Sequence, residues 1–410
     1  MRLRHVSITI SLVLVLATSA WAGSETVLYQ FMGDQDGYTP QAGVLFMKGK
    51  IYGTTFNGGA PEWGTVFQLT RTQSGWTKKT IYAFTARKDG GLPLGELAKD
   101  EAGKLYGTAI RGGNLSYEYG TGCGVVFELT PAPQRWKETV VHAFHLKDGC
   151  MPQGELVWDG AGNLYGTTSI GGDLSCARGD GCGTVFKLSR SAAGWKLITL
   201  HAFHGKDGGS PVSLLRDRSG NFYGATAGGG DSELGGTVFK LSPSGKTWKL
   251  TTLYSFTGGN DGSSPLAGVV FDQSGALYGT TYYGGTYGLG VVYKVTPAKP
   301  AWKEKVLHTF AGGQDGGNPY SNLLFDPQGN LYGTASAYGG ENHGEIFKLT
   351  NSGGQWTESI AFSFNESDGS APEGDIIWDA SGNLYGTTSA AGGFCNGDQS
   401  GCGNVYEFTP

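Results

Sequence analysis

The sequence has 410 residues, of which 72 are glycine, and charged residues make up only 16%. Glycine is more than twice as frequent as the usual ~7%, but it does not fall at every third position, which excludes collagen. Apolar residues at 39% and aromatic residues at 12% exclude a disordered glycine-rich chain. The net charge is −5 and no cluster of Lys or Arg is present, so nucleic acid and anionic membrane surfaces are not expected as partners.

The first 22 residues have the features of a secretory signal peptide. Two arginines precede an apolar run over residues 6–17, and Ala20-Trp21-Ala22 ends in the small-x-small pattern that signal peptidases accept. A transmembrane anchor is the alternative, but the run is short for a membrane span and lacks a stop-transfer flank. We therefore expect a signal peptide over residues 1–22, export from the cytoplasm, and no membrane span after its removal.

One unit recurs seven times along the rest of the chain. A Tyr-Gly pair returns at spacings of 53–59 residues, with its tyrosines at Tyr52, Tyr106, Tyr165, Tyr223, Tyr278, Tyr332 and Tyr385. A D-G-x-x-P motif precedes each pair by 16 or 17 residues, beginning at Asp36, Asp89, Asp148, Asp207, Asp261, Asp315 and Asp368. Repeats of this length indicate an array of supersecondary units.

Each unit contains four short apolar runs separated by turn residues, which predicts a four-stranded antiparallel meander. In the third unit, strand A covers residues 154–158 after the motif Pro, and strand B carries the Leu-Tyr-Gly-Thr-Thr segment. Strand C covers residues 184–188, and strand D runs from a Trp to a Phe over residues 195–203. Four strands repeated about every 55 residues are typical of propeller blades, so we predict an all-β, seven-bladed propeller.

The two ends of the repeat array predict how the ring closes. Residues 24–31 form a strand of type D alone, whereas the last unit stops at a strand of type C over residues 404–408. Pairing these two strands completes the last blade and leaves no unpaired strand edge, which folded proteins avoid. An open β-solenoid is the alternative, but its repeats are usually shorter. We therefore predict one propeller domain over residues 23–410, built from repeats of 53–60 residues.

The repeated segments also resemble a known family. Residues 162–168 (GNLYGTT), 183–188 (GTVFKL) and 253–259 (LYSFTGG) are similar to the GloVer tandem repeat of exported bacterial proteins. The similarity covers essentially all of residues 24–410. It implies an extracytoplasmic bacterial protein, secreted or periplasmic, and it carries no established activity.

Differences between the repeats point to one face of the propeller. The D-to-A and B-to-C connections emerge on the same face, which we call the loop face, and the B-to-C loops carry most of the unmatched aromatic residues. Aromatic rings stack on sugars and neighbouring polar groups bond hydroxyls, so we expect this face to bind an extracellular ligand, above all a polysaccharide. Packing of the loops against one another is the alternative. The expected contact residues are Trp63, Tyr117, Tyr119, Tyr282, Tyr283, Tyr287, Tyr338, Arg111, Asn322 and His343.

A second difference lies at the start of strand A, on the channel side. The position three residues after the motif Pro is occupied by Gly43, Glu96, Glu155, Leu214, Gly268, Asn322 and Asp375. If the channel mouth brings Glu96, Glu155 and Asp375 together, mutual repulsion raises at least one pKa and creates an acid/base pair suited to glycosidic bond cleavage. A glycan-cleaving enzyme, hydrolase or lyase, is therefore the main alternative function, and a solvated acidic rim is the plainer interpretation. A protein-interaction platform on the cell surface is a third hypothesis.

The six cysteines all fall in the loop layer. Proximity along the chain favours three disulfides, Cys123 with Cys150, Cys176 with Cys182 and Cys395 with Cys402, and an exported chain permits them. A structural zinc site is the alternative, but no C-x-x-C pair or nearby His supports it.

The D-G-x-x-P motif invites a calcium interpretation in one copy only. Asp34-Gln35-Asp36-Gly37 has the D-x-D-G start of a Ca²⁺ loop, whereas the other six copies lack a second regularly spaced carboxylate. A turn in which Asp accepts backbone N–H groups and Gly has a positive φ explains all seven. We expect no cofactor, no metal and a monomer.

Overall fold

The computed structural model describes residues 23–117, 120–133, 135–192, 194–390, 395 and 401–410. The expected signal peptide and Tyr119 lie outside these residues. Seven antiparallel sheets surround a central channel, which confirms the seven-bladed β-propeller. None of the helices within the described ranges has the length and apolar character needed to cross a membrane.

Each blade runs from an inner strand A to an outer strand D, and blades 2 and 6 have a divided strand A. Blade 1 consists of Leu45–Met47, Lys50–Thr55, Thr65–Thr72 and Gly75–Ala83; blade 2 of Gly91–Pro93 with Ala98–Lys99, Leu105–Arg111, Val125–Thr130 and Lys137–Ala143; and blade 3 of Cys150–Trp158, Asn163–Ile170, Thr184–Ser191 and Gly194–Ala202. Blade 4 consists of Gly209–Arg216, Phe222–Gly228, Thr237–Ser244 and Thr247–Ser255; and blade 5 of Val270–Phe271, Leu277–Thr281, Val291–Thr296 and Lys303–Thr309. Blade 6 consists of Gly317–Pro319 with Leu324–Phe325, Leu331–Ala337, Glu345–Ser352 and Gln355–Ser363; and blade 7 of Ile377–Trp378, Leu384–Thr388, Asn404–Thr409 and Ser24–Gln30.

Blade 7 closes the ring with strands from both ends of the chain. Ser24–Gln30 is its strand D and pairs antiparallel with Asn404–Thr409, from Ser24 opposite Thr409 to Gln30 opposite Asn404. The predicted closure is therefore confirmed. Because Ser24–Gln30 pairs with Asn404–Thr409, the last blade has its fourth strand and Asn404–Thr409 has no unpaired edge.

Aromatic side chains join each blade to the next. The Phe that directly follows strand D is at most 1% exposed in every blade, and its ring meets the strand C aromatic ring of the following blade edge-on. The ring centroids are 4.9–5.4 Å apart in the pairs Phe31–Phe67, Phe84–Phe127, Phe144–Phe186, Phe203–Phe239, Phe256–Tyr293, Phe310–Phe347 and Phe364–Tyr406. Edge-to-face contacts of this kind are favourable beyond their buried area, so the junctions between blades share one packing rule.

The D-G-x-x-P motif forms the turn expected from its sequence. In all seven copies the Asp carboxylate accepts a backbone N–H from three or four residues upstream, at 2.6–3.0 Å. The following Gly has φ between 67° and 132°, a range that favours glycine. The strand D side chain two residues before the recurring Phe adds a second contact in several copies, as in Tyr82 to Asp89 at 2.9 Å and His201 to Asp207 at 2.8 Å. The motif thus fixes the connection that leads into each strand A.

Three disulfides join Cys123 to Cys150, Cys176 to Cys182 and Cys395 to Cys402, with Cα–Cα distances of 4.5, 5.6 and 4.9 Å. These are the pairings expected from proximity in the sequence. The first ties a B-to-C loop of blade 2 to the start of strand A in blade 3, and the other two each close one loop. The disulfides therefore restrain the longest connections of the loop face.

The closure contact gives a direct test of what holds the ring. We expect Phe31→Ala to lower the free energy of unfolding by about 3–5 kcal/mol, because it empties the junction between blades 7 and 1. The neighbouring Met32 is 69% exposed, so Met32→Ala should change it by no more than about 0.5 kcal/mol. Urea unfolding of both variants measures the difference. Equal losses would contradict a special role for the buried ring.

Candidate functional site

The seven strands A begin around a cavity at the loop-face end of the central channel. Every blade contributes to its wall, and the space open to the centres of water molecules is about 120 Å³. That space is large enough for several water molecules. A ligand larger than this has to bind at the mouth of the channel, with only one end of it inserted.

Of the seven positions predicted to face the channel, six line this cavity and one does not. Gly43, Glu96, Glu155, Gly268, Asn322 and Asp375 all line it. Leu214 does not: it is 7% exposed and belongs to the core between blades 3 and 4, and Ser213 lines the cavity instead.

The physical reason for this shift is a missing residue. In blade 3, Val157 pairs with Tyr165, so the core residue before it, Leu156, is the fourth after Pro152. In blade 4, Leu215 pairs with Tyr223, so the equivalent core residue Leu214 is only the third after Pro211. Counting from the motif Pro therefore names the wrong residue in this blade.

Asn322 of blade 6 is hydrogen-bonded to both adjacent blades, to Gly268 of blade 5 and to Asp375 of blade 7. Its backbone N–H and its Nδ2 each donate to the Asp375 carboxylate at 2.5 Å, and its Oδ1 accepts the Gly268 N–H at 2.5 Å. Both carboxylate oxygens of Asp375 are thus held by one residue. This fixes the orientation of the carboxylate at the channel wall.

Glu96 lies beside Gly43, which provides the space for it. A Cβ built on Gly43 would collide with Glu96 Oε1, so a larger residue here would displace the carboxylate. The same Oε1 is buried and has no hydrogen-bond partner. The channel wall therefore contains a hydrogen-bond acceptor, Glu96 Oε1, that no group of the protein satisfies.

Burial raises the pKa of all three carboxyl groups, and neighbouring negative charge adds to the effect at Glu96 and Glu155. Burial, followed by the charges of Asp375 and Glu155, raises the pKa of Glu96 well above its ordinary value. Burial and the charge of Asp375 raise the pKa of Glu155 to about 7. Burial also raises the pKa of Asp375 to about 6, against the lowering effect of the Asn322 hydrogen bonds. Glu155 is exposed to the channel, where the surrounding blades limit how much water can solvate its carboxyl group.

No positive charge compensates this cluster among the described residues of the wall. The lining includes four carboxylates, Glu373 being the fourth, and no Lys, Arg or His. Arg111 and His343, predicted from the sequence as contact residues, do not line the cavity. Near neutral pH the cluster therefore contains both protonated and ionised carboxyl groups, which can donate and accept hydrogen bonds respectively.

A second layer of residues lies at the mouth. Gln41 Nε2 donates to Glu373 Oε2 at 2.9 Å. Tyr320 also lines the cavity, and its pKa is raised first by burial and then by the charge of Glu373. Its ring meets that of Tyr282 edge-on at 6.0 Å, and Tyr282 meets Tyr283 at 4.6 Å. These rings form a row from the channel mouth to Tyr283, which is 53% exposed.

Gln41, Tyr320 and Glu373 were not among the predicted contact residues. Each directly follows a motif Pro, where the other copies have Leu94, Gln153, Val212 and Leu266. The same comparison between repeats, applied two positions earlier, would have found them.

The remaining predicted contact residues are not gathered at the mouth. Trp63 and Tyr117 are half-buried and pack against the cores between blades 1 and 2 and between blades 2 and 3. Tyr287 is 61% exposed, whereas Tyr338 covers the turn at Gly312 and Gly317. Arg111 and His343 are half-buried on the loop face, and Tyr119 lies outside the described residues. Asn322, Tyr282 and Tyr283 are the predicted contacts that the structure brings near the channel mouth.

Solved structures with the same fold include proteins of unlike description. A candidate 6-phosphogluconolactonase from Bacteroides uniformis superposes with a TM-score of 0.52 at 13% identity, over 90% of this chain and 100% of that chain. The extracellular domain of a candidate hybrid two-component system from B. thetaiotaomicron gives a TM-score of 0.54 at 11% identity, over 95% of this chain and 42% of that chain. None of the curated proteins matches the sequence. At these identities the likeness concerns the fold alone.

The sequence comparison with protein families is more informative. The profile of the Gloeobacter/Verrucomicrobia repeat matches residues 17–195 and 174–400. Together these matches span most of the chain, and they correspond to the repeat that the Tyr-Gly segments resemble. The protein therefore belongs to the Gloeobacter/Verrucomicrobia repeat family.

Proposed function

We propose that this protein is an exported binding protein that holds one end of a neutral polysaccharide at the loop-face mouth of its channel. The observation that carries the proposal is the convergence of Glu96, Glu155 and Asp375 below the row of Tyr320, Tyr282 and Tyr283. Carboxyl groups beneath aromatic rings are suited to a ligand that presents hydroxyls on its edges and an apolar ring face.

The polar groups of the wall match the hydrogen bonding of a sugar. Hydroxyl groups both donate and accept, and this wall offers ionised and protonated carboxyl groups, the Ser213 hydroxyl and the Gln41 and Gln153 amides. The unpartnered Glu96 Oε1 supplies an acceptor that a ligand hydroxyl can satisfy. Binding would then relieve a buried acceptor that has no partner, which is costly in the free protein.

The charge of the wall favours neutral sugars over acidic ones. Four carboxylates and no cationic side chain lie on the described wall, so a uronate would meet like charge at short range. Such juxtaposition disfavours binding and supplies specificity. We therefore place uronic-acid polymers outside the ligand class.

Export to the bacterial periplasm or exterior is part of the proposal. Three disulfides support it because such bonds persist in oxidising compartments. The signal-like segment over residues 1–22 and a single domain over residues 23–410 remain predictions from the sequence, and we propose a monomer. A surface protein as ligand is the competing hypothesis.

Glycan cleavage is a second candidate function, favoured by the perturbed carboxyl groups. In the folded protein the pKa of Glu155 is about 7 and that of Asp375 about 6, so one acid can stay protonated while the other is ionised. Glycoside cleavage needs that combination, one carboxyl as acid and the other as base or nucleophile.

The first test measures binding. We expect a mature-chain sample to bind one or more neutral oligosaccharides in calorimetric titrations against a panel of neutral and acidic plant and microbial glycans. Tyr282→Ala should weaken that affinity about tenfold or more, because it removes the central ring of the row. Tyr287→Ala, at an exposed ring outside the row, should leave it within about twofold. Binding of acidic glycans only, or equal effects of the two variants, would contradict the proposed site.

The second test separates binding from cleavage. In the binding function, Glu155→Gln retains affinity within about tenfold and neither protein releases new reducing ends or unsaturated products. In the enzymatic function, the wild type releases product and Glu155→Gln reduces turnover about a hundredfold or more while still binding substrate. Product analysis after incubation with the bound glycan distinguishes the two.

The third test uses the pH dependence of stability. The pKa values of Glu155 and Asp375 rise on folding, from ordinary values of 4.5 and 3.8 to about 7 and about 6. Their contribution to stability is thus complete below the ordinary values and is lost as the pH rises through the folded values. We expect the free energy of unfolding to fall from about pH 5 to about pH 8, and to fall less in Glu155→Gln than in the wild type.

The matched control for this measurement is Glu101→Gln, at an exposed glutamate in the A-to-B turn of blade 2. It should follow the wild-type pH dependence in urea unfolding. A Glu155→Gln protein with the same slope as wild type would show that the channel carboxyl groups do not take up protons on folding.

A further inference from the structure

A second cluster of ionisable side chains lies away from the channel, where blade 5 meets blade 6. Ligand atoms of His308, Asp315 and Glu358 all lie within 4.8 Å of one another. His308 is on strand D of blade 5, Asp315 is in the D-G-x-x-P turn that follows, and Glu358 is on strand D of blade 6. All three are partly buried, so water and small ions can reach them.

Glu345 faces this cluster from the first position of strand C in blade 6. It is 0% exposed, and neither of its carboxylate oxygens has a hydrogen-bond partner. A Cβ on Gly316 would collide with Glu345 Oε1, so the carboxylate points at the turn that carries Asp315. A fully buried carboxylate without any partner is among the most costly groups in a protein interior.

The other blades show what the repeat normally places here. The position of Glu345 is Thr184 in blade 3 and Thr237 in blade 4, and each of these hydroxyls bonds to a Thr on strand B. The position of Glu358 is Leu197 and Leu250 in the same two blades. A Glu at the position of Glu358 recurs in three other blades, as Glu25, Glu138 and Glu304. The acid that departs from the repeat at this junction is therefore Glu345.

The histidine at this junction is also oriented differently. His142 and His201 hydrogen-bond to the Asp of their turns at 3.0 and 2.8 Å. His308 Nε2 lies 3.1 Å from Asp315 Oδ1, but the two are not aligned for a hydrogen bond and the nitrogen has no other partner. The His308 ring nitrogen thus lies at the cluster, within ion-pair distance of one carboxylate oxygen.

We propose that His308, Asp315, Glu358 and Glu345 bind a divalent metal ion that accepts both imidazole and carboxylate ligands, such as Zn²⁺ or Mn²⁺. One nitrogen and several carboxylate oxygens are a ligand set of this class, whereas Ca²⁺ and Mg²⁺ prefer oxygen alone. The ion would neutralise three neighbouring acids and give the Glu345 oxygens the partner they lack. This site departs from the expectation of no metal, which rested on sequence motifs that these four residues do not form.

Local electrostatics are compatible with such a ligand set. Burial lowers the pKa of His308, against the opposing charge of Asp315, so the imidazole is neutral as a metal ligand must be. Burial and the neighbouring acids raise the pKa of Glu345 to about 8 and that of Glu358 to about 7. Without an ion these groups hold protons, and metal binding has to displace them.

The ion would clip two blades together. Its ligands come from the outer strand of blade 5, the connecting turn, and strands C and D of blade 6, so binding should stabilise the folded chain. This role is independent of the channel, and the two proposals can fail separately.

The test adds Zn²⁺, Mn²⁺ and Ca²⁺ one at a time to chelator-treated protein and follows thermal unfolding and calorimetric binding. We expect one equivalent of Zn²⁺ or Mn²⁺ to bind and raise the melting temperature, with Ca²⁺ weaker than both. Glu345→Val should weaken binding about tenfold or more. Residue 345 lies opposite Ala335, and at the equivalent place in blade 2 Val125 lies opposite Ala109. Glu345→Val therefore recreates a pair that the protein already contains, so we expect it to fold.

A matched pair of histidine variants controls for adventitious binding. His308→Tyr should lose the metal effect, and His201→Tyr should retain it, because the equivalent site in blade 4 lacks the acidic residues. Tyr occupies this strand position in Tyr82 and Tyr254, so both variants keep a natural side chain. The proposal is overturned if no ion stabilises the wild type, or if Glu345→Val and His308→Tyr bind as tightly as wild type.

Discussion

The edge-to-face contact between the Phe after strand D and the strand C aromatic of the next blade is the interaction on which the rest of this structure depends. It recurs at all seven junctions with centroid distances of 4.9–5.4 Å. Because interiors are close-packed, seven nearly identical contacts require seven nearly identical angles between blades. The circle closes without strain only if the last junction repeats the rule, and Phe31 against Phe67 does so with residues from opposite ends of the chain.

The fixed ring also determines where chemistry can be placed. Strand A of each blade starts at the channel, so one variable position per repeat meets six others around a space that holds only a few water molecules. Seven large side chains cannot fit there. Gly43 and Gly268 provide room for Glu96 and Asn322 respectively, and Asn322 in turn holds Asp375. The carboxylates are therefore positioned by a rigid scaffold that can bear the cost of their mutual repulsion.

The repetitive part of the sequence predicted the fold well, because Tyr-Gly, D-G-x-x-P and the strand D Phe each report a contact made seven times. The site was less predictable, since it depends on single departures from the repeat. One residue missing after Pro211 moved Ser213 to the channel in place of Leu214, which no local pattern shows. Trp63, predicted to contact ligand, is half-buried against the core between blades 1 and 2. The role proposed for Glu345 could not be predicted from the sequence, because the residues that it faces are distant in the chain.

Other junctions between blades also contain pairs of carboxyl groups, and comparison with them shows how the junction at Glu345 differs. Glu138 lies near Asp89 and Glu304 near Asp261, and each Glu has its pKa raised to about 7 by burial and by that Asp. In both junctions a Tyr hydroxyl donates a hydrogen bond to the Asp. Protonation of the Glu therefore leaves only the Asp charged, and the Asp already has a hydrogen-bond partner. In blade 1 the same place holds Lys78, whose ammonium lies 2.8 Å from Asp36.

The junction of blades 5 and 6 has neither solution. Its Tyr is replaced by His308, which is not aligned with Asp315, and a second buried acid is added. Two protons would leave Glu345 neutral yet still without a partner, whereas a divalent ion held by His308, Asp315 and Glu358 would also offer one to Glu345.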